Sequence, residues 1–151
     1  MSTPTSAGHP FASLTLRDIH NSLIICGHVA GPIHITSMHD SVLVVATRQF
    51  RMHDSKSVDV YLQTASRPII EDCEGIRFAP LPECYVTEST AKAKNLWDQV
   101  DDFKWLKAEA SPHWSVLPEE KRVDERVWKE VVPGQPGIDL DEILNAVRES
   151  T

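Results

Sequence analysis

The sequence predicts an all-β protein, a parallel β-helix with short helical or irregular capping segments toward its C-terminus. Residues 13–80 consist of short runs rich in Val, Ile and Leu, many of them bounded by Gly, Pro, Asn, Asp or Ser, which is typical of strands. No amphipathic segment of helix length interrupts these runs. This disfavours a βαβ arrangement, whose parallel strands need crossover helices. The runs also repeat at a spacing of 18–19 residues, as stacked turns of one coil would.

The repeat has three copies. Residues 22–28 match residues 41–47, which lie 19 positions later, and residues 59–65 follow after 18 more. A second apolar run comes about ten residues into each copy, at residues 33–35, 50–52 and 69–70. One turn cannot bury its inward side chains alone, whereas stacked turns share a narrow apolar core. The alternative is an antiparallel sandwich, which would prefer hairpin turns such as Asn-Gly or Asp-Gly, and the sequence contains neither.

Composition divides the chain into three parts. Residues 1–12 are rich in Ser, Thr, Pro and Gly and are expected to form a flexible N-terminus. Residues 13–122 are expected to form the β-helix with its capping segment, and residues 123–151 a linker followed by an amphipathic helix. All four tryptophans lie in residues 81–151. This part is therefore suited to cover an open end of the coil, where unpaired backbone and apolar core would be exposed.

One helix is predicted within the capping segment. Leu96, Val100 and Phe103 fall at positions i, i+4 and i+7, which place them on one face of a helix. Ser111 and Pro112 then end that segment.

A second helix is predicted over residues 139–150, after a linker at residues 131–137 with the sequence VVPGQPG. Asp139 can cap its N-terminus, with Glu142 three residues on, as in a capping box. The helix has one apolar stripe, formed by Leu140, Ile143, Leu144 and Val147. We expect the stripe to dock on this domain, and the alternative is that it binds a partner.

Charge and composition exclude several classes of function. The net charge is −7, of which residues 1–80 contribute −1 and residues 81–151 contribute −6, so no basic surface for nucleic acid is expected. The phosphate-loop pattern GxxxxGK[ST] and any apolar run of membrane-spanning length are absent. The polar N-terminus lacks a signal pattern, and the three cysteines do not pair, so we expect a cytosolic protein with reduced thiols.

Neither a metal site nor glycoside chemistry is expected. Stacked turns could align His34 and His53, but no histidine spacing matches a known cage, so histidines at turns and on the solvated face are expected. The acids Glu71, Asp72 and Glu74 could suggest a polysaccharide-cleaving β-helix. That chemistry needs a long groove lined with aromatic side chains, and residues 13–80 offer three: Phe50, Tyr61 and Phe78.

Two arginines follow the apolar run at residues 42–45. If Phe50 and Met52 point into the core, alternation along the strand places Gln49, Arg51 and His53 on the outer face. On composition alone, an exposed arginine is a solvated surface charge.

Four motifs change that interpretation. The sequence TRQFR is followed by SRPIIEDCEGIRFAP, LWDQVDDFKWL and SPHWSVLPEE, at residues 47–51, 66–80, 96–106 and 111–120. Together, over roughly residues 20–122, they resemble the tubulin-binding cofactor C domain family, which is shared with the retinitis pigmentosa 2 protein and, more distantly, with cyclase-associated proteins. The resemblance implies a right-handed parallel β-helix.

The resemblance also implies activation of a GTPase in trans. The arginine that ends the family's motif corresponds to Arg51, the supporting glutamine to Gln49 and the orienting acid to Glu71. Arg48 and His53 are expected as further partner contacts. A planar guanidinium can neutralise the charge that builds on the phosphates during hydrolysis. GTP would be bound by the partner, so no cofactor is expected in this chain.

The partners that the resemblance implies are β-tubulin in the α/β-tubulin heterodimer, with tubulin cofactors D and E. The protein would then be cytoplasmic and associated with the cytoskeleton. The alternative is a non-catalytic adaptor for a small Arf-like GTPase or a cytoskeletal partner. Myristoylation would favour the Arf-like partner, but Ser2 stands where acylation requires glycine.

The sequence departs from the family pattern in three places. Thr47 replaces a cysteine and Arg48 replaces a glutamine, so a second cation flanks Arg51. Residues 81–85, LPECY, replace the usual aromatic loop. The helical tubulin-binding half that precedes the domain in the family is not in this sequence, and we expect either a domain of a longer chain or a short homologue.

Overall fold

The computed structural model describes residues 12–87, 93–124 and 127–128, and it shows a parallel β-helix of about four turns. Seven strands form it: β1 Leu14–His20, β2 Leu23–His53, β3 Lys56–Thr64, β4 Ile69–Glu71, β5 Glu74–Pro80, β6 Asp101–Asp102 and β7 Trp114–Val116. Short 3₁₀ helices cover Glu83–Tyr85 and Glu119–Lys121. Residues 1–11 of the predicted flexible N-terminus, and the predicted helix over 139–150, lie outside the described residues.

The strands stack as the repeat predicted. Every pairing between the described strands is parallel, in the order β6-β4-β2-β3-β5-β7, with β1 also paired to β2. Strand β2 pairs with β1 in its first half and with β3 and β4 in its second half, because its 31 residues continue through the corners of the coil. The β-helix prediction is confirmed, and the antiparallel alternative is wrong.

The chain turns one corner of the coil through left-handed backbone conformations. Two columns of residues, three positions apart, have positive φ: Asp18, Ser37, Asp54 and Asp72 in one, and Asn21, Asp40, Ser57 and Gly75 in the other. Asp and Asn adopt this region more readily than most residues because their short side chains can bond locally, and glycine has no Cβ to clash. Each turn of the coil therefore has a left-handed residue at the same two corner positions.

The inward side chains form the core that the sequence predicted. Leu43, Val45, Val58, Val60 and Leu62 are all buried there. Three rings continue the core down the coil in edge-to-face contact: Phe50, Phe78 and Trp114, with centroids 5.8 and 6.0 Å apart. Burying one such apolar side chain contributes about 1.5–3 kcal/mol. Trp97 also packs against this core, so tryptophans do cover its lower end.

A second apolar layer covers the outside of one sheet. Val42, Val44 and Tyr61 alternate with inward residues, and they are buried although they point outward. The segment that covers them is the C-terminal strap, residues 117–124 with 127–128. Within it, the Val123 N–H donates to the Tyr61 hydroxyl at 3.0 Å, and the Trp128 ring packs edge-on against Tyr61 at 5.1 Å.

The predicted helix over residues 96–103 is wrong. Asp101 and Asp102 form strand β6, in which the N–H of Asp101 donates to Pro68 O at 2.8 Å and that of Phe103 donates to Ile70 O at 3.0 Å. The open edge of β4 offers unpaired carbonyls, and pairing them outweighs the helical spacing of the apolar residues.

Candidate functional site

The segment that carries Arg48 and Gln49 is held in place by buried threonine hydroxyls. The Thr47 hydroxyl donates to Gly31 O at 2.8 Å and also approaches Gln49 O at 3.1 Å. One turn below, the Thr64 hydroxyl donates to Ser66 O at 3.0 Å and lies 3.5 Å from Arg48 O. Both threonine side chains are almost fully buried, and their bonds to partly buried carbonyls help to fix the backbone around Arg48 and Gln49.

Arg51 points outward from this rigid segment. Phe50 and Met52 are 1% and 2% exposed and lie in the core, whereas Gln49, Arg51 and His53 are exposed. The alternation predicted from the sequence is therefore confirmed. The Arg51 side chain forms no hydrogen bond or ion pair with any residue that the structure describes.

Arg51 lies in a shallow depression, which we call the Arg51 hollow. Three consecutive levels of the coil line it with polar side chains, and the loop after β6 adds an aromatic ring; these residues are His34, Thr36, Arg51, His53, Glu71 and Phe103. His34 and His53, which stacked turns could have aligned, both line the hollow. Arg48, in contrast, lines a neighbouring depression with His28, Thr47 and Gln63.

Glu71 does not hold Arg51 in this structure. Strand pairing places Ile69 beside Arg51 and Glu71 beside His53, and the Glu71 carboxylate lies 3.8 Å from His53 Nε2. Glu71 is diagonal to Arg51, roughly 8 Å away between backbones for adjacent strands. An extended arginine can span that distance, so the orienting role of Glu71 stays a prediction.

An acidic cluster lies at the edge of the hollow. His53, Glu71 and Asp72 have ligand atoms within 4.8 Å of one another, a spacing that could accommodate a divalent cation. The Lys104 ammonium lies 2.8 Å from Asp72 Oδ2 and supplies a positive charge there. The Lys104 hydrogen bond is the main reason that the pKa of Asp72 is lowered. Asp72 also lies 3.3 Å from His53 Nε2.

Phe103 is a site residue that the sequence analysis missed. Its ring is 52% exposed and lines the Arg51 hollow, whereas the predicted helix would have placed it on an inward face. Leu106, three residues later, is 91% exposed. The loop between them and β7 is ordered by polar contacts, since Trp105 Nε1 donates to Glu109 O at 2.7 Å and His113 Nδ1 lies 2.6 Å from Asp102.

Comparison with known proteins decides the family. The profile of the family described as "Tubulin binding cofactor C" matches residues 6–103. The chain belongs to the tubulin binding cofactor C family. A solved structure of this family, Tubulin Binding Cofactor C from Leishmania major, superposes with a TM-score of 0.66 at 28% identity, over 79% of this chain and 89% of that one.

Several curated relatives are more similar in sequence. Tubulin-specific chaperone C of Homo sapiens is 42% identical and Tubulin-folding cofactor C of Arabidopsis thaliana is 43% identical, over 73% and 74% of this chain. Protein XRP2 of Mus musculus is 34% identical over 71% of the chain and shares 30% of its own length. The chain spans about a third of the length of the two tubulin cofactors, 34% in each case. Among the described residues, no helix is long and apolar enough to cross a bilayer.

Proposed function

We propose that this chain is the GTPase-activating domain of a tubulin-folding cofactor. It would insert Arg51 into the nucleotide site of β-tubulin and, together with cofactors D and E, release native α/β-tubulin dimers in the cytoplasm. The names of the relatives, Tubulin-specific chaperone C and Tubulin-folding cofactor C, support the choice of tubulin. The observation that carries the proposal is the outward Arg51 guanidinium, which has no partner among the described residues.

The chemistry requires an arginine of this kind. Hydrolysis of GTP builds negative charge between the β- and γ-phosphates, and a guanidinium can neutralise it with two parallel hydrogen bonds. A lysine carries the charge but cannot reproduce that planar fork. An arginine supplied in trans accelerates such reactions by about 10³–10⁵. GTP and its metal belong to the partner in this mechanism, and the domain alone turns over nothing.

The rigidity of the strand around Arg51 supports the proposed docking role. Phe50 and Met52 anchor the strand on either side of Arg51, and the threonine hydroxyls fix the corner before it. A rigid support lowers the entropy lost when the side chain is ordered in the partner's pocket. In this proposal Gln49, two residues away on the same side, contacts the attacking water or the partner's switch loop.

The side chains around Arg51 would complement a partner surface that carries acidic and apolar groups. Arg48 adds a second exposed cation next to Gln49, and the exposed Phe103 ring adds apolar area at the rim of the hollow. Aromatic and arginine side chains dominate the energetics of many protein interfaces. We assign Arg48, His53 and Phe103 to partner contact and Arg51 to chemistry.

A GTP-hydrolysis assay tests the proposal. Tubulin, GTP and cofactors D and E are mixed with the chain, with Arg51→Ala, or with Lys121→Ala as an exposed-cation control from the strap. We expect Arg51→Ala to lose the stimulation of phosphate release and Lys121→Ala to retain it. Stimulation that survives in Arg51→Ala removes the catalytic role of this arginine.

The second candidate is a non-catalytic adaptor for a small Arf-like GTPase. It is favoured by the similarity to Protein XRP2, since the domain is not confined to proteins named for tubulin. An adaptor would bind its GTPase equally well with Arg51→Ala and would not change the rate of hydrolysis. Measuring affinity and phosphate release on the same samples separates the two candidates.

A further inference from the structure

Arg17 is a second exposed arginine on the side of the coil that carries Arg51. Strand β1 pairs with β2 in a register that sets Arg17 beside Thr36, and Thr36 lines the Arg51 hollow. Side chains at paired positions of neighbouring parallel strands point to the same face of a sheet. Arg17 therefore lies on the same outer face as Arg51, at the upper edge of the hollow.

The stacked strands hold the two arginines at a fixed separation. The Met38 N–H donates to Ser55 Oγ at 3.1 Å, which places the Thr36 level one strand above that of Arg51. Since Arg17 pairs with Thr36, it is two strands from Arg51 and two residues along, roughly 12 Å between backbones. Two anionic groups that meet both arginines must therefore have a similar separation on the partner.

The Arg17 guanidinium is not paired with a carboxylate in the ranges that the structure describes. It is exposed and forms no hydrogen bond or ion pair with another described residue. Asp18 follows it in sequence but has a left-handed conformation, at the corner where the chain turns. On the lower turns, by contrast, Asp101 accepts two hydrogen bonds from Arg67, of 2.8 and 3.0 Å. The upper part of the face thus presents arginines that can still take an anionic partner.

We infer that Arg17 is a specificity contact, which binds an acidic side chain beside the nucleotide site of the GTPase partner. This inference rests on the proposed function, because the insertion of Arg51 fixes where the partner lies. A guanidinium can hold a carboxylate through two parallel hydrogen bonds, and arginine is prominent among the residues that dominate interface energetics. His34, which lies between the two arginines and lines the hollow, can donate a further hydrogen bond to the same group.

A folded protein fits this face better than a nucleic acid or an anionic membrane does. Those two surfaces present negative charge throughout, and the whole chain has a net charge of −7. The lower turns also carry three acids on and beside this face, two of them already paired with cations; they are Glu71, Asp72 and Asp101. A uniformly anionic surface would be repelled there, whereas a protein can place one acidic group opposite Arg17.

Binding and turnover, measured with the same chains, test the inference. Binding uses tubulin loaded with a non-hydrolysable GTP analogue, with cofactors D and E, at several salt concentrations. We expect Arg17→Ala to weaken binding about 3- to 5-fold, as for an exposed ion pair, and to make it less sensitive to salt. In phosphate release from GTP, the concentration for half-maximal stimulation should rise by the same factor, while the maximal rate stays unchanged.

Charge variants separate a local contact from an effect of overall charge. Arg17→Glu should weaken binding about 10-fold or more, because repulsion replaces attraction. Lys121→Glu makes the same change in net charge on the exposed surface of the strap and should bind like the parent chain. Thr15→Lys adds a cation at an exposed position beside His34 and should tighten binding. Equal melting temperatures confirm that these surface changes leave the fold intact.

Arg17→Glu that binds as tightly as the parent chain overturns the inference. Equal losses for Arg17→Glu and Lys121→Glu also overturn it, and so does a lower maximal rate without a change in half-saturation. Parent binding to phosphatidylserine vesicles that Arg17→Glu abolishes, with tubulin binding unchanged, would assign the face to a membrane instead.

Failure of the proposed function gives a different pattern. Arg51→Ala would then keep full phosphate release, while Arg17→Glu still loses binding and the specificity contact stands. A parent chain that does not bind tubulin at all overturns both.

Discussion

Glu71 lies beside His53 on the adjacent turn, and its carboxylate is 3.8 Å from His53 Nε2. Ile69, which is uncharged, occupies the position beside Arg51 on that turn. This register separates Glu71 from Arg51 and leaves the guanidinium exposed. The Arg51 side chain would have to turn toward the Glu71 carboxylate to reach it. Arg51 is therefore exposed, with Glu71 diagonal to it on the next turn.

The proposed orienting role of Glu71 can be tested with Glu71→Gln. We expect this change to lower stimulated GTP hydrolysis by about 10- to 100-fold, less than Arg51→Ala does, because a misplaced catalytic group costs about that much. Binding to tubulin and the melting temperature should hardly change. Asp72→Asn is the matched control, since Asp72 belongs to the same cluster but pairs with Lys104. Equal losses for Glu71→Gln and Asp72→Asn would show a general charge effect instead.

The threonine hydroxyls should contribute measurable stability. Thr64→Val removes the buried O–H that bonds to Ser66 O and leaves this partly buried carbonyl without its donor. We expect the free energy of unfolding to fall by about 1–3 kcal/mol in urea denaturation, and by less for Thr64→Ser, which keeps the hydroxyl. A Thr64→Val chain as stable as the parent would mean that water or a neighbour replaces this bond.

Trp128 should anchor the strap. Its side chain is 1% exposed and contacts Tyr61 and Tyr85, so Trp128→Ala is expected to cost about 3–5 kcal/mol. Trp105→Ala, in the partly exposed loop after β6, should cost less. Denaturant titration of the two variants checks this order. The reverse order would mean that the strap contributes little to the domain's stability.

Stability should fall at alkaline pH partly through Tyr61. Burial raises the pKa of its phenol to about 12, against an ordinary value of about 10, so the folded state favours the neutral form. The resulting stabilisation is complete below pH 10 and is lost as the pH rises to 12, because the unfolded state then releases the proton first. Two pKa units correspond to about 2.7 kcal/mol.

The comparison that isolates this effect is with Tyr61→Phe. The difference in unfolding free energy between the parent chain and the variant should shrink by about 2.7 kcal/mol between pH 9.5 and 12.5. Other titrating groups affect both chains equally and cancel. Parallel curves for the two chains would rule out a buried neutral phenol.

The sequence predicted the coil because each turn repeats the same requirement for inward apolar residues. It also carried two signals that were not used. The paired corner residues, such as Asp54 with Ser57 and Asp72 with Gly75, mark left-handed positions at a fixed spacing of three. The unbroken apolar run at residues 42–45 is typical of a strand covered on both faces, and the outer layer covers it.

Other features could not be read from spacing alone. The outward direction of Arg51 follows from local alternation, but its register with Ile69 depends on corner lengths, which vary from turn to turn. The apolar spacing of residues 96–103 favoured a helix. The segment forms a strand instead because it pairs with the open edge of β4, which is a tertiary contact. That same pairing exposes Phe103 at the hollow, so both errors have one cause.

The most direct test of the central claim is single-turnover phosphate release from tubulin-bound GTP, with cofactors D and E, comparing the parent chain with Arg51→Lys and Arg51→Ala at saturating concentration. A trans-acting guanidinium predicts a loss of about 10³-fold or more for both variants, since lysine keeps the charge without the fork. Full activity in Arg51→Lys or in Arg51→Ala would contradict the account.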